Sequence, residues 1–200
     1  SNSPHTEQEK FEIGTDFFER QKSGESILFP SYTGNMKRGK LPESINNGNK
    51  NIVLFNSSDD EFAALGKEYD NPYFKDQIDA LQNLTAYFGS SMPSYNLIIR
   101  MHPNLKGVKH SFVTRILELH NNYPNIFVIA PESTTDSYTL INIAEKVISF
   151  GSTTGLEANF FRKPVVLLGK GLYYFSEVAY IPRDIPEIYQ LLRSNLEPKP

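Results

Sequence analysis

The chain has 200 residues, of which 39% are hydrophobic, with a formal net charge of −3 at pH 7 and no cysteine. The lack of cysteine excludes a disulfide framework and a thiolate zinc site. Scattered lysines and arginines argue against nucleic acid as a partner, and no apolar run reaches the roughly 20 residues of a membrane-spanning helix.

Residues 1–50 are rich in Gly, Ser, Asn, Lys and Pro, and their apolar spacing is too irregular to build a core. We predict that this segment is a linker or crossover that packs on the main domain. The main domain is expected over residues 51–200.

From Asn51 onwards, five short apolar runs rich in β-branched residues predict strands. They are NIVLF (51–55), YNLIIRM (95–101), NIFVIA (125–130), KVISF (146–150) and PVVLLG (164–169).

Apolar residues spaced by three and four predict helices between and after these runs. The predicted helices are a stripe from Phe74 to Phe88 with Gly89 as C-cap, Phe112 to Leu119, Tyr138 to Ala144 with Asp136 or Thr135 as N-cap, Thr154 to Arg162 before Pro164, and a final helix with Asp184 and Glu187 as a capping box.

Alternating strands and helices predict an α/β fold, a Rossmann-like, doubly wound parallel sheet with helices on both faces. Ligands bind such sheets at the carboxyl ends of the strands. That rule selects the loops at 56–61, 101–104, 130–137, 150–155 and 169–174.

The loop FGSTTG contains Gly151, Ser152, Thr153 and Thr154. Glycine lets the backbone approach a ligand closely, and hydroxyls together with unpaired N–H groups at a helix start donate to anionic oxygens. The pattern predicts a phosphate site. The alternative is that STTG only caps a helix after a tight turn.

His102 of RMHPN follows a predicted central strand, where an imidazole can donate to a phosphate or carry a proton. The alternative is a histidine satisfied beside a turn. Glu157 lies in the first turn after STTG and can accept two ribose hydroxyls. Its alternative is a first-turn glutamate that complements the helix dipole.

Two further loops leave their roles open. The acidic run SSDDE (57–61) suits a general base, a metal site or a solvated helix start, and GKGLYYF (169–175) suits a cover for a nucleobase or sugar, or packing on residues 1–50. The histidines lack metal-type spacing, so we predict no metal. Missing Walker, G-x-G-x-x-G and G-x-S-x-G motifs disfavour NTPases, dehydrogenases and α/β-hydrolases.

LIIRMHPN, followed about 45 residues later by VISFGSTTGLEANFFRKPVVLLG, resembles the C-terminal, nucleotide-binding half of two-domain glycosyltransferases of the B type. The similarity is to capsule polysaccharide biosynthesis proteins, a group that includes Kdo transferases. NIVLFNSSDDEFAALGKEYDNPYFKDQIDAL resembles that group's entry into its second domain, so the resemblance covers roughly residues 51–180.

The resemblance implies roles for individual residues. In related sialyl- and Kdo transferases a His-Pro motif and a Ser-Ser/Thr motif bind the CMP part of the donor. By this likeness His102 contacts the donor phosphate, Ser152 and Thr153 hydrogen-bond it, and Glu157 matches a ribose-binding position. Gly151 and Thr154 complete the expected nucleotide-binding set. The catalytic residue is unknown, with His102 as a candidate for stabilising the leaving group.

A complete B-type enzyme has two Rossmann-like domains and usually takes its catalytic carboxylate from the first. This chain has room for one, so we expect a fragment that lacks the catalytic base. The expected function is the donor domain of a bacterial cytoplasmic glycosyltransferase. It transfers a sugar, with Kdo a candidate, from a nucleotide-sugar to capsule or surface polysaccharide without a metal or other cofactor. The choice between CMP, UDP and other nucleotides stays open.

Three alternatives stand beside this function. They are a non-catalytic nucleotide- or glycan-binding module of a capsule assembly complex, a sugar-nucleotide 2-epimerase, and a phosphopolyol transferase. The resemblance further implies a glycan acceptor and a peripheral position at the inner face of the cytoplasmic membrane. The oligomeric state is open, and surface left by a missing domain offers a route to a dimer.

Overall fold

The computed structural model describes residues 4–25, 36–57, 72–108, 111–171 and 173–200. Five strands in these ranges form one parallel sheet in the order β3-β2-β1-β4-β5. They are β1 (Lys50–Phe55), β2 (Tyr95–Arg100), β3 (Ile126–Ile129), β4 (Ala144–Ser149) and β5 (Val165–Leu167). This is the order of a doubly wound sheet, which confirms the predicted fold class.

Helices precede, connect and follow the strands. They are α1 (Glu7–Ser23), α2 (Gln77–Ser91), α3 (Ser111–Glu118), α4 (Ser137–Ile143), α5 (Thr153–Phe160) and α6 (Ile185–Arg193). Short 3-10 turns cover Glu43–Ile45, Pro103–Leu105 and Leu119–Asn121.

The sheet is buried on both faces because side chains alternate along each strand. Ile52 and Leu54 of β1 join one apolar cluster, which includes residues of α2, α3 and α6. Val53 and Phe55 join the other, which includes residues of α4 and α5. Strands buried on both faces read as the unbroken apolar runs from which they were predicted.

The central strand β1 separates the two loops that carry the predicted site. Phe55 pairs with Arg100 of β2 on one side and with Ser149 of β4 on the other. The ends of β2 and β4 therefore lie two strand spacings apart, or about 10 Å.

Two predicted helix ends are wrong. The helix α2 passes through Gly89 to Ser91, with Met92 as its C-cap. Gly89 is small for another reason, since a Cβ atom there would lie 2.2 Å from the Tyr123 ring. Ala144 opens β4 instead of ending α4, because it follows the helix directly and pairs with Asn51.

Predicted caps at two other helices are confirmed. Asp136 caps α4, and the carboxylate of Asp184 accepts the Glu187 N–H at 2.8 Å. The capping box of α6 is offset by one residue, because the Glu187 carboxylate accepts the N–H of Arg183 at 2.6 Å. Helix α5 begins at Thr153, one residue earlier than predicted, with Ser152 as its N-cap.

The segment 1–50 contains a helix that the apolar spacing did not predict. Helix α1 buries none of its residues, although the Phe18 ring lies 4.5 Å from the ring of Phe160. Further on, the Lys37 N–H donates to Thr134 O at 2.9 Å. The division at residue 50 stays a prediction.

No helix within the described ranges has the length and apolar character needed to cross a membrane.

Candidate functional site

The predicted site loops come together at the carboxyl edge of the sheet. His102 follows β2, Gly151 follows β4, and Asn56 and Ser57 follow β1 between them. The acidic residues 59–61, with Ser58 before them, lie outside the described residues. Whether they form a general base, a metal site or a helix start stays open.

His102 lies half-buried at the start of a 3-10 turn that Pro103 begins. Its backbone N–H donates to Asn56 Oδ1 at 2.7 Å. Its Nδ1 atom accepts the Asn104 N–H at 3.2 Å and lies 2.5 Å from Asn104 Oδ1. The turn thus engages Nδ1 and sets the plane of the ring.

Asn56 begins the predicted site loop 56–61, but the sequence did not indicate a role for it. Only 1% of its surface is exposed, and its amide oxygen ties the end of β1 to the His102 loop. The adjacent Ser57 hydroxyl donates to Phe150 O at 3.4 Å on the other side. Together these two residues connect the His102 loop with the loop after β4.

The loop after β4 forms a capped helix start, as the hydroxyl residues indicate. Ser152 Oγ accepts the Thr154 N–H at 3.3 Å and donates to Thr154 Oγ1 at 3.1 Å. Thr153 is exposed. The Ser152 hydroxyl therefore serves at least partly as a helix cap. The N–H groups at the N-terminus of α5 supply positive potential at the sheet edge.

Gly151 has a conformation that favours glycine. Its φ angle is +96°, in the region that side chains with a Cβ rarely adopt. A Cβ atom on Gly171, in the loop after β5, would lie 2.5 Å from Gly151 O. The two loops therefore pack backbone to backbone.

A second group that sequence reasoning missed lies beneath the Ser152 loop. Ser149, at the end of β4, is fully buried, and its Oγ accepts the Gly151 N–H at 3.2 Å. The buried Tyr173 hydroxyl lies 3.0 Å from Ser149 Oγ and 2.8 Å from Ser152 O. Its partners are 24 and 21 residues away in sequence, so spacing gave no signal.

Glu157 points toward α4. Its Oε2 atom accepts the Tyr138 hydroxyl at 2.6 Å. Burial raises the pKa of Glu157, and the Tyr138 hydrogen bond acts in the opposite direction. Burial, with the neighbouring Glu157 charge, also raises the pKa of Tyr138, which keeps the phenol protonated as a donor. The ribose role of Glu157 stays a prediction.

Arg100 hydrogen-bonds to the loop after β3. Its guanidinium is buried at the end of β2 and donates to Ala130 O at 2.7 Å and to Ser133 O at 3.3 Å. Burial lowers the pKa of Arg100 to about 10, with Glu132 opposing, so it remains a cation at neutral pH. Within the described ranges, no group of three His, Asp or Glu side chains is placed to hold a metal ion. That no metal is required stays a prediction.

The chemistry available at this edge is anion binding. Helix N–H groups and the hydroxyls of Ser152, Thr153 and Thr154 stand at the end of β4, with an imidazole across β1. A charge-assisted hydrogen bond contributes about 1.5–3 kcal/mol, and a helix terminus adds about 0.3–1 kcal/mol. Several such contacts suffice for a phosphate.

The fold is similar to that of several solved structures. KpsC, the beta Kdo 2,4 transferase of Thermosulfurimonas dismutans, matches at a TM-score of 0.56 with 13% identity, over 92% of this chain and 51% of that one. The S. aureus MnaA-UDP co-structure matches at 0.54 with 12% identity, over 80% and 41%. A UDP-N-acetylglucosamine 2-epimerase, described as putative, from Listeria monocytogenes matches at 0.51 with 12% identity, over 76% and 37%.

These likenesses show the fold, and the chain spans about half or less of the length of each structure. No curated protein matches the sequence. The model of the family described as capsule polysaccharide biosynthesis protein matches residues 46–180, which include β1 to β5, the His102 loop and the Ser152 loop. The chain therefore belongs to the capsule polysaccharide biosynthesis protein family.

Proposed function

We propose that the intact protein is a glycosyltransferase that transfers a sugar from a nucleotide-sugar to capsule or related surface polysaccharide. This chain supplies its donor-nucleotide domain. Membership of the capsule polysaccharide biosynthesis protein family supports a role in making surface polysaccharide. The observation that carries the proposal is the placement of His102 and the capped Ser152 loop on either side of β1, at one edge of a parallel sheet.

In this proposal the phosphate is the leaving group. The bond from the anomeric carbon to the phosphate oxygen breaks, and a bond to an acceptor hydroxyl oxygen forms. Negative charge on the departing phosphate is stabilised by the α5 N–H groups, the loop hydroxyls and His102. The acceptor proton passes to a base, which we place outside this chain.

The donor is the finer part of the proposal. Similarity to a Kdo transferase supports Kdo as the sugar, and CMP is the nucleotide that the family resemblance implies. Similarity to a UDP-bound structure supports UDP. The acceptor is proposed to be a glycan at the inner face of the cytoplasmic membrane, on the family resemblance.

A sugar-nucleotide 2-epimerase is the second candidate, because the fold is also similar to that of a UDP-N-acetylglucosamine 2-epimerase. An epimerase needs no acceptor, whereas a transferase does. Product analysis of the intact protein, with and without acceptor glycan, therefore separates the two. Inversion of the donor sugar at C2 without acceptor supports the epimerase.

The proposal is tested by calorimetric titration of the chain with CMP, UDP, GDP and CDP. We expect one nucleotide to bind, and His102→Ala and Ser152→Ala each to weaken it at least tenfold, or about 1.4 kcal/mol. Exposed Ser90 and His120 lie in the segments that lead into β2 and β3, at the amino ends of the strands, so Ser90→Ala and His120→Ala are matched controls. Equal weakening in the controls, or no binding by chain and intact protein alike, contradicts the proposal.

A further inference from the structure

Tyr173 is the side chain on which the Ser152 loop rests. Its ring is 5% exposed within the apolar cluster on the α4 and α5 side of the sheet. Its hydroxyl reaches both Ser149 Oγ at 3.0 Å and Ser152 O at 2.8 Å. Because both contacts are to the protein, the Tyr173 hydroxyl is not directed at a nucleobase or sugar. Covering such a ligand was one of the roles considered for residues 169–175.

The carbonyl of Ser152 is unusually well held. It accepts the Gly155 N–H at 2.9 Å, as expected at a helix N-cap, and lies 3.2 Å from the donor Ser149 Oγ. The Tyr173 hydroxyl is the third group directed at the same oxygen. A carbonyl with three donors around it has little freedom to rotate.

Fixing this carbonyl fixes the next N–H group. In a planar trans peptide the C=O and the following N–H point in opposite directions, and the described residues contain no cis peptide. Since Ser152 O faces the buried Tyr173 hydroxyl, the Thr153 N–H faces away from it, past the N-terminal end of α5. That is the direction from which an anion approaches a helix start.

Helix α5 packs closely against the Tyr173 hydroxyl at Gly155. A Cβ atom on Gly155 would lie 2.1 Å from the Tyr173 hydroxyl oxygen and 2.9 Å from Ser149 Cβ. The lack of a side chain at Gly155 therefore lets α5 pack directly on the Tyr173 phenol.

We infer that Tyr173 is a positioning residue for the nucleotide phosphate, acting through the Ser152 carbonyl to aim the Thr153 N–H at the ligand. The inference rests on the proposed function, because it concerns the same site. Burial and the Glu157 charge raise the pKa of Tyr173 above its ordinary value of 10, with the Ser149 hydrogen bond opposing. The phenol therefore keeps its proton at neutral pH.

The test compares Tyr173→Phe, which removes only the hydroxyl, with Tyr174→Phe. Tyr174 is a matched control because it is the next residue, is half-buried against the same cluster, and makes none of these loop contacts. Each protein is titrated by NMR with the best-binding nucleoside phosphate and with the matching nucleoside. We expect Tyr173→Phe to weaken nucleotide binding about three- to tenfold and to leave nucleoside binding unchanged.

A purely structural role predicts something different, since general loosening weakens nucleotide and nucleoside by the same factor. That result, or nucleotide affinity equal to wild type, overturns the inference. Failure of the wild-type chain to bind any nucleotide overturns the proposed function instead. Amide hydrogen exchange then tests whether Tyr173 fixes the Ser152 carbonyl, because the Gly155 N–H donates to that carbonyl. The Gly155 amide must exchange faster in Tyr173→Phe than in Tyr174→Phe, and equal rates refute the inference.

Discussion

The two loops that form the candidate site are held in different ways. The His102 loop is short, and its turn is closed by Pro103 and Asn104, with one buried tie to Asn56. The loop after β4 is held from beneath by Ser149 and Tyr173, side chains that are themselves buried. One loop is shaped mainly by its own residues, and the other by packing against the end of β4 and the loop after β5.

This difference explains why small residues concentrate in FGSTTG. Gly151 is required by its positive φ angle, and Gly155 by the Tyr173 hydroxyl against which it packs. Ser152 caps the helix. Packing thus accounts for much of the motif, whereas the Thr153 side chain is exposed at the helix start and makes no hydrogen bond to the described part of the chain. The residues that we propose to bind the phosphate are therefore largely the same residues that pack the loop.

The largest effect is expected where the packed loop is broken. Gly155→Ala places a methyl group against Tyr173 and Ser149, and overpacking of this kind costs about 1–3 kcal/mol. In an open helix position the same change is favourable by about 0.5–1 kcal/mol. Gly14 of α1 has no atom within 4 Å of its Cβ position, so Gly14→Ala is the matched control.

Urea denaturation measures both glycine variants, with the midpoint and slope compared at one pH. Gly155→Ala should lower the free energy of unfolding, while Gly14→Ala leaves it unchanged or raises it. If both changes have the same sign, the close packing around Tyr173 does not constrain the loop.

A smaller effect is expected at the His102 loop. Asn56→Ala removes the acceptor of the His102 N–H, but it also removes a buried Nδ2 atom that has no partner among the described residues. The two changes partly offset, so we expect a loss of about 1 kcal/mol in the free energy of unfolding. Nucleotide binding should weaken with it, because the His102 backbone loses its tie to β1.

Asn104→Ala distinguishes the buried hydrogen bond between Asn56 and His102 from the exposed contact between Asn104 and His102. Asn104 is exposed, and substitutions at exposed sites usually change stability by no more than about 0.5 kcal/mol. Thermal denaturation of both variants makes the comparison. An equal loss of stability in the two would show that Asn56 is not the anchor of this loop.

The smallest effect is a pH dependence on the buried side of α5. Because burial raises the pKa of Glu157 above its ordinary value of 4.5, the folded state holds this proton more tightly than the unfolded chain does. The contribution of Glu157 to stability is therefore fully present below pH 4.5 and is lost as the pH rises through the folded pKa. Glu157→Gln removes that fall and keeps an acceptor for Tyr138.

The measurement is the free energy of unfolding of wild type and Glu157→Gln between pH 4 and 8. The advantage of the variant should grow as the pH rises. Parallel profiles would mean that burial does not raise the pKa of Glu157.

Most of the sheet could be predicted from the sequence, because strands buried on both faces are unbroken apolar runs. The site loops followed from the rule for parallel sheets, which needs only the order of the elements. Strand starts were less certain, since Ala144 ends an apolar helical stripe and yet opens β4 without an intervening loop.

Helix α1 was missed although its ends are marked in the sequence. Thr6 and Glu9 form a capping box, and Gly24 has the left-handed conformation of a C-cap. Without a buried face, its apolar residues showed no stripe to find. The roles of Asn56, Ser149 and Tyr173 depend on contacts between distant segments, and no spacing rule supplies those.

Binding of a nucleotide phosphate between the two loops, at the carboxyl edge of the sheet, can be observed in backbone amide spectra of isotope-labelled protein during titration with CMP, UDP, GDP and CDP. We expect the largest shifts on the amides of His102, Thr153 and Thr154, with Asn49 and Ser94 at the opposite edge unchanged. Shifts that avoid these three amides, or spread equally to both edges, would contradict binding between the two loops.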